Sequence, residues 1–103
     1  MATCRFSLSA EGDLEGILAY SIDEWGIEQT APYRDQLLGC CQLIAQQTML
    51  GRSCDDIRPG YLRIQAGRHV LFFKRDAGGV RIVRILHDRM DPFRHLEDDD
   101  EDG

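Results

Sequence analysis

A chain of 103 residues, 43% hydrophobic and 29% charged with a formal net charge of −6, has room for one globular core and is too apolar to be intrinsically disordered. Its longest apolar runs, at 17–20 and 70–73, are far too short to span a membrane, and residues 1–7 lack the basic and apolar regions of a signal peptide. A cytoplasmic location with no membrane partner is expected. The charge is segregated: residues 1–56 carry three Arg against nine acids, residues 57–96 eight Arg and one Lys against three Asp, and residues 97–102 are six consecutive acids. The body of the domain is therefore neutral overall, and its positive half is almost entirely Arg, which favours fork-like contacts with carboxylate or phosphate. This balance gives no support for direct nucleic-acid binding.

Residues 3–9 alternate around Phe6 and Leu8 and predict a short strand. Ser9 is the expected cap of a first helix, with Glu11, Asp13 and Glu15 suited to its N-terminus and Leu14, Ile17, Leu18, Ile22 and Trp25 as its apolar stripe. Gly26 ends that helix, and a second is predicted over 27–48, striped by Tyr33, Leu37, Leu38, Cys41, Ile44 and Ala45. Pro32 limits where the second helix starts, because proline is tolerated only in a first turn. Residues 51–60 are turn-rich and close the helical half. Strands are predicted at 61–66, 69–75 and 80–86, with Gly67 and the run 76–79 as turns; 87–96 is a short helix or irregular arm, and 97–103 a solvated acidic tail.

The order β-α-α-β-β-β makes a two-layer α+β domain over residues 1–96, a helical hairpin packed on a small antiparallel sheet. Strict alternation would send Leu71 and Phe73 to one face and Val70 and Phe72 to the other, and would set Val80 and Ile82 against Val83 and Ile85. Both faces are then apolar, while one helical hairpin covers only one. Either the segment 87–96 closes the second face or a partner does. Cys4, Cys40, Cys41 and Cys54 form no C-x-x-C pair and no ligand spacing with His, so reduced thiols are expected. No cofactor is implied. A metal site from His87, Asp88 and Asp91 lacks a fourth ligand and is not expected.

Several fragments, in order and at fixed spacing, resemble a known family. They are Phe6-Ser7-Leu8-Ser9, Asp13-Leu14 with Ile17, Tyr20, Trp25-Gly26, Gln29, Tyr33, Leu37 and Gly51-Arg52. Then come Ile57-Arg58-Pro59-Gly60-Tyr61, Gly67-Arg68-His69 leading into 70–73, the run 83–91, and His95-Leu96. Over residues 5–96 the chain resembles the ParE toxins of the RelE/ParE superfamily, and departs from them in its acidic run and in the early Pro32. The resemblance implies a RelE/ParE-like fold and the toxin of a type II toxin–antitoxin module. It implies inhibition of DNA gyrase by protein contact and neutralisation by a ParD-like antitoxin whose C-terminal segment packs apolar residues into a groove.

On that resemblance, the candidate antitoxin groove is Leu14, Ile17, Leu18, Trp25, Leu37, Val70, Phe72, Val83 and Ile85. The candidate gyrase-effector surface is Arg84, His87, Arg89, Met90, Phe93, Arg94 and His95, a mix of Arg and large apolar side chains typical of interface hot spots. Deletion of 87–96 is expected to abolish toxicity and spare antitoxin binding. Arg58, Pro59, Gly60, Gly67, Arg68 and His69 belong to the family motifs without an assigned role. No catalytic residue is assigned. The alternatives are an mRNA-cleaving RelE-type toxin, for which Arg68, His69, Arg84, His87, Arg89 and His95 supply possible pieces, and an antitoxin-binding module that has lost toxicity. Arg84 is expected to pair with Asp88 or Asp91 if it is structural.

Overall fold

The computed structural model describes residues 3–96, so the acidic run expected as a solvated tail lies outside the described residues. The elements are β1 (Thr3–Phe6), α1 (Leu8–Trp25), α2 (Ile27–Gln46), β2 (Arg52–Ser53), β3 (Leu62–Ala66), β4 (His69–Asp76), β5 (Gly79–His87) and the one-turn α3 (Pro92–His95). The helical hairpin lies on a five-stranded sheet of order β1-β5-β4-β3-β2.

Ser7, rather than Ser9, caps α1. Its hydroxyl accepts from the Ala10 N–H at 3.0 Å and donates to the Val83 carbonyl at 2.8 Å, while its own N–H donates to the Ile82 carbonyl at 2.9 Å. Both serines have the right chemistry. Only Ser7 sits where β1 leaves β5, so one residue caps the helix and continues the sheet. Gly26 joins the helices at φ 87°, a left-handed angle that disfavours other residues. Its N–H bonds the Ile22 carbonyl, and its carbonyl accepts from the Thr30 N–H and hydroxyl. α2 starts ahead of Pro32, which sits in the second turn. The helix gives up the bond to the Glu28 carbonyl there, and because both residues are exposed, water can take the vacant acceptor.

The β3–β4 and β4–β5 pairs are antiparallel, as expected, but β1 pairs with β5 in parallel, and β2, in the stretch expected only as turns, adds a short antiparallel edge strand on β3. Between β1 and β5 lie both helices and three strands, so no tight turn dictates the direction of that pair. A second departure is a β-bulge. Phe72 faces Arg84 and Phe73 faces Ile82, which leaves Val83 as the extra residue on β5. The bulge separates Val83 from Ile85. Val80, Ile82 and Ile85 join Leu71 and Phe73 under the helices with Leu37, Cys41 and Ile44, whereas Val83 and Leu86 join Phe72 on the outer face.

That outer face is covered by the chain itself. Phe72 and Val83 are 3% and 0% exposed, packed with Cys54 and Tyr61 from the loop after β2 and with Leu96 from the C-terminal arm. Loop 54–61 is tied by bonds from the Ile57 and Arg58 N–H groups to the Cys54 carbonyl and from the Cys54 N–H to the Tyr61 carbonyl. Gly60, at φ 85°, closes it onto the Asp55 carboxylate. The Arg58-Pro59-Gly60 motif thus shapes the lid that sets Tyr61 over the sheet. The open sheet face allowed by alternation is filled by this loop as well as by the arm. All four cysteines are free. Among the described residues, no helix is long and apolar enough to cross a membrane.

Candidate functional site

Two exposed regions stand out, and they meet at His87. The first is a cleft of about 640 Å³ between α1, the start of α2, the β3–β4 turn and the end of β5. Ile17, Ser21 and Trp25 recur every fourth residue and line one wall with Tyr20; Tyr33, Arg68, His69 and His87 form the other side. Tyr20 and Trp25 meet edge to face at 5.9 Å between ring centres, and both are largely exposed, as are Ile22 and Ile27 at the same end of the hairpin. Large apolar side chains gathered around a cleft with a few polar groups are a common design for a binding surface.

The polar wall is built around Tyr33. Its hydroxyl accepts from the Arg68 N–H at 3.0 Å, lies 2.6 Å from His69 Nδ1 and 3.3 Å from the Ala66 carbonyl. Gly67 has φ 63°, and a Cβ there would fall 2.6 Å from the Tyr33 ring, so the Gly67-Arg68-His69 motif is a turn that only glycine can carry beneath a tyrosine. Burial, and then the nearby His87, hold the His69 pKa below its ordinary value; burial raises that of Tyr33. Both are neutral at pH 7. The His69 and His87 rings stand 5.4 Å apart, and His87 Nδ1 is 3.1 Å from the Asp88 carboxylate. Among the described residues, no group of three or more His, Cys, Asp or Glu is placed to hold a metal ion.

The second region is the arm after β5. The Met90 N–H returns to the His87 carbonyl, and Asp91 caps α3 through the Phe93 N–H. Arg89, Met90, Phe93 and Arg94 are exposed, Phe93 at 58%. His95 is half-buried, and Arg84 is a strut inside the fold. Arg84 grips Asp13 of α1 in a two-point ion pair (Nε to Oδ2 2.7 Å, Nη2 to Oδ1 2.9 Å), with side chains only 20% and 15% exposed. Asp13 Oδ2 also accepts the Ile85 N–H at 2.9 Å, on the stretch of β5 beyond the reach of β1, and Arg84 Nη1 donates to the His95 carbonyl at 2.8 Å. Among the described residues, Arg84 thus forms its ion pair with Asp13, from 71 residues away, rather than with Asp88 or Asp91. Asp13, in the second turn of α1, fastens helix and strand together and, through Arg84, the arm as well.

The expected groove residues do not share one open face. Leu37 and Ile85 are buried under the helices, with Leu14 and Ile17 packed against that core. Phe72 and Val83 are buried on the opposite face of the sheet, with Val70 beside them. Leu18 is half-buried, and of the set Ile17 and Trp25 are the two that line the cleft. Of the expected effector residues, Arg89, Met90, Phe93 and Arg94 lie together on the arm, whereas His87 lines the cleft. The deletion of 87–96 is not a clean test, because Leu96 is 1% exposed in the outer core. Tyr20, Ser21, Gln29 and Tyr33 were not read as site residues; their convergence depends on how α1 crosses the β3–β4 turn, and the four-residue spacing of Ile17, Ser21 and Trp25 was the available signal.

The chain matches the family model described as the ParE toxin of the type II toxin–antitoxin system parDE over residues 4–92. It is 40% identical over 95 residues to Toxin ParE1 of Mycobacterium tuberculosis H37Rv, covering 89% of this chain and 97% of the relative. It is 38% identical over 96 residues to Toxin ParE1 of Caulobacter vibrioides, covering 93% and 99%, and 33% identical over 100 residues to Toxin ParE of Escherichia coli, covering 95% and 96%. A chain in the structure described as the chromosomal ParDE TA system from P. aeruginosa superposes with a TM-score of 0.72 at 17% identity, over 84% of this chain and 96% of that one. This last likeness concerns the fold alone.

Proposed function

The chain belongs to the ParE toxin family of type II toxin–antitoxin systems, and from that premise we propose that it inhibits DNA gyrase in the bacterial cytoplasm by protein contact and is silenced by a ParD-like antitoxin. The observation that carries the reading is that two separate regions present exposed apolar side chains beside polar ones, an aromatic cleft at the end of the hairpin and an Arg-rich arm bearing Met90 and Phe93. An amphipathic antitoxin segment fits the cleft, where Tyr20 and Trp25 offer wide, stiff apolar contact. The arm suits a large protein target, since Phe93 and Met90 are exposed and flanked in sequence by the exposed Arg89 and Arg94. Contact rather than catalysis fits the way the polar groups are used. Arg84 is consumed by Asp13, and His69 by Tyr33.

A second reading, ribosome-dependent mRNA cleavage of the RelE type, draws on the two histidines and Arg68 facing one cleft. Inducing the full-length protein in cells, with and without the antitoxin gene adjacent to its own, separates the readings. Gyrase poisoning produces broken DNA and an SOS response, relieved by the antitoxin. Rapid arrest of translation with intact DNA favours cleavage of mRNA, and a stable complex with neither phenotype marks a module that has lost toxicity.

A further inference from the structure

On the polar wall of the cleft the Tyr33 hydroxyl has one proton to give and three polar neighbours. It accepts from the Arg68 N–H at 3.0 Å, so that neighbour takes a lone pair and not the proton. The Ala66 carbonyl at 3.3 Å and His69 Nδ1 at 2.6 Å remain as acceptors. The shorter contact takes the proton. The converse, with Nδ1–H donating to the hydroxyl, leaves the Tyr33 proton only the 3.3 Å contact, outside the range of a good O–H···O bond. Neutral imidazole carries one N–H, so with Nδ1 accepting from Tyr33 the proton of His69 stands on Nε2. Burial, which holds the His69 pKa low, keeps the ring neutral at pH 7. His87, opposite it in the strand register, is not fixed in this way. Its Nδ1 accepts from the Arg89 N–H at 3.2 Å and also lies 3.1 Å from the Asp88 carboxylate.

Tyr33 therefore occupies one nitrogen of His69 and leaves the other as a donor of fixed identity on a residue that lines the cleft. Arg68, the preceding residue, lines the same cleft, is exposed, and forms no ion pair among the described residues. Asp88, close by, is already engaged by Gln65 Nε2 at 3.3 Å and by His87. Ile17, Tyr20 and Trp25 make the other side of the cleft apolar. A ligand lying there meets apolar surface along α1 and a cation beside an N–H at the β3–β4 turn. A carboxylate answers both, with one oxygen for each donor, and the bonds it makes are charge-assisted. We propose that Arg68 and His69 Nε2–H form a subsite for one carboxylate carried by the apolar segment that fills the cleft, with Tyr33 as the positioning residue that fixes the donor. This rests on the reading of the cleft as the antitoxin site, and it names the side chain by which the segment is recognised: an Asp or Glu set among its apolar residues.

Long-range proton–nitrogen NMR of the full chain without its antitoxin, at about pH 7.5, should show His69 protonated on Nε2 and bare on Nδ1. Tyr33→Phe should turn this single tautomer into a mixture. A proton on Nδ1 in the native chain overturns the proposal whether or not an antitoxin binds. The ligand is tested by titrating the antitoxin encoded beside the toxin gene, with each Asp and Glu of its C-terminal segment changed in turn to the amide. One such change should weaken binding to the native chain at least about 10-fold, yet cost less than about 2-fold against Arg68→Gln or His69→Asn. His69→Gln, which can place an amide N–H near the position of Nε2, should keep most of the affinity that His69→Asn loses. An antitoxin that binds through Tyr20 and Trp25, with no acid coupled to Arg68 or His69, overturns the proposal and leaves the reading of the cleft standing. An antitoxin that does not bind the native chain at all overturns that reading, and the carboxylate ligand with it. An RNA oligonucleotide whose binding is lost in Arg68→Gln and His69→Asn, while antitoxin affinity holds, would give these donors to phosphate and overturn the proposal.

Discussion

Replacing Asp13 with alanine removes three interactions at once: two hydrogen bonds from the Arg84 guanidinium and one from the Ile85 N–H. What remains is a guanidinium only 20% exposed and an N–H on the uncovered stretch of β5, both without the acceptor they had. Breaking a buried ion pair from one side costs about 3–5 kcal/mol, and the residual exposure of this pair argues for the lower end, about 3 kcal/mol. For a domain of this size that corresponds to a fall in Tm on the order of 15 °C. Asp13→Asn keeps an acceptor for Ile85 while losing the charge, and should fall between Asp13→Ala and the native chain. Urea unfolding of Asp13→Ala, Arg84→Met and the double variant gives the coupling directly, with about 2 kcal/mol expected between the two sites. An Asp13→Ala loss below about 1 kcal/mol, or additive effects in the cycle, would refute the idea that this pair binds helix, strand and arm together.

Three further outcomes follow from the geometry. Phe93→Ala and Met90→Ala change exposed side chains, so unfolding free energy should move by less than about 0.5 kcal/mol while gyrase inhibition falls at least about 10-fold and antitoxin affinity holds. Trp25→Ala together with Tyr20→Ala should give the mirror result, weakening antitoxin binding by about 100-fold in a titration while inhibition of gyrase persists. The folded state holds the His69 pKa below its ordinary value near 6.5, so the unfolded chain binds more protons below that pH. This contribution to stability is complete at pH 7 and above, declines as pH falls below about 6.5, and levels off once native His69 itself takes a proton. Thermal melts from pH 7.5 to about 5 should show that decline and show less of it in His69→Asn; identical profiles would exclude His69 as its source.

The helical hairpin was legible because periodicity and Gly26 are local signals, and so were β3, β4 and β5, bracketed by Gly67 and by the turn at 76–79. What escaped the sequence depends on contacts between distant segments. Ser7 and Ser9 are equally good caps until β5 supplies the Val83 carbonyl. The bulge at Val83 upsets an alternation that reads as regular, and so divides Val83 from Ile85 between two cores. The cover over Phe72 comes partly from loop 54–61, which reads only as turn-rich although it buries Cys54 and Tyr61. The site was legible in pieces. Trp25, His87 and the arm residues stand out by type, but the wall of the cleft depends on Tyr33 of α2 packing against the glycine turn at 67. Arg84 looked like an effector for the same reason in reverse, since Asp13 is 71 residues away from it.

The central claim, inhibition of gyrase by contact through the arm and relief by an antitoxin, is tested most directly by supercoiling and DNA-cleavage assays with purified gyrase and the full-length protein. The account predicts cleaved DNA that accumulates with the native chain, disappears when a ParD-like antitoxin is added, and fails to form with Phe93→Ala. Undisturbed supercoiling by a folded protein that still binds its antitoxin would contradict it.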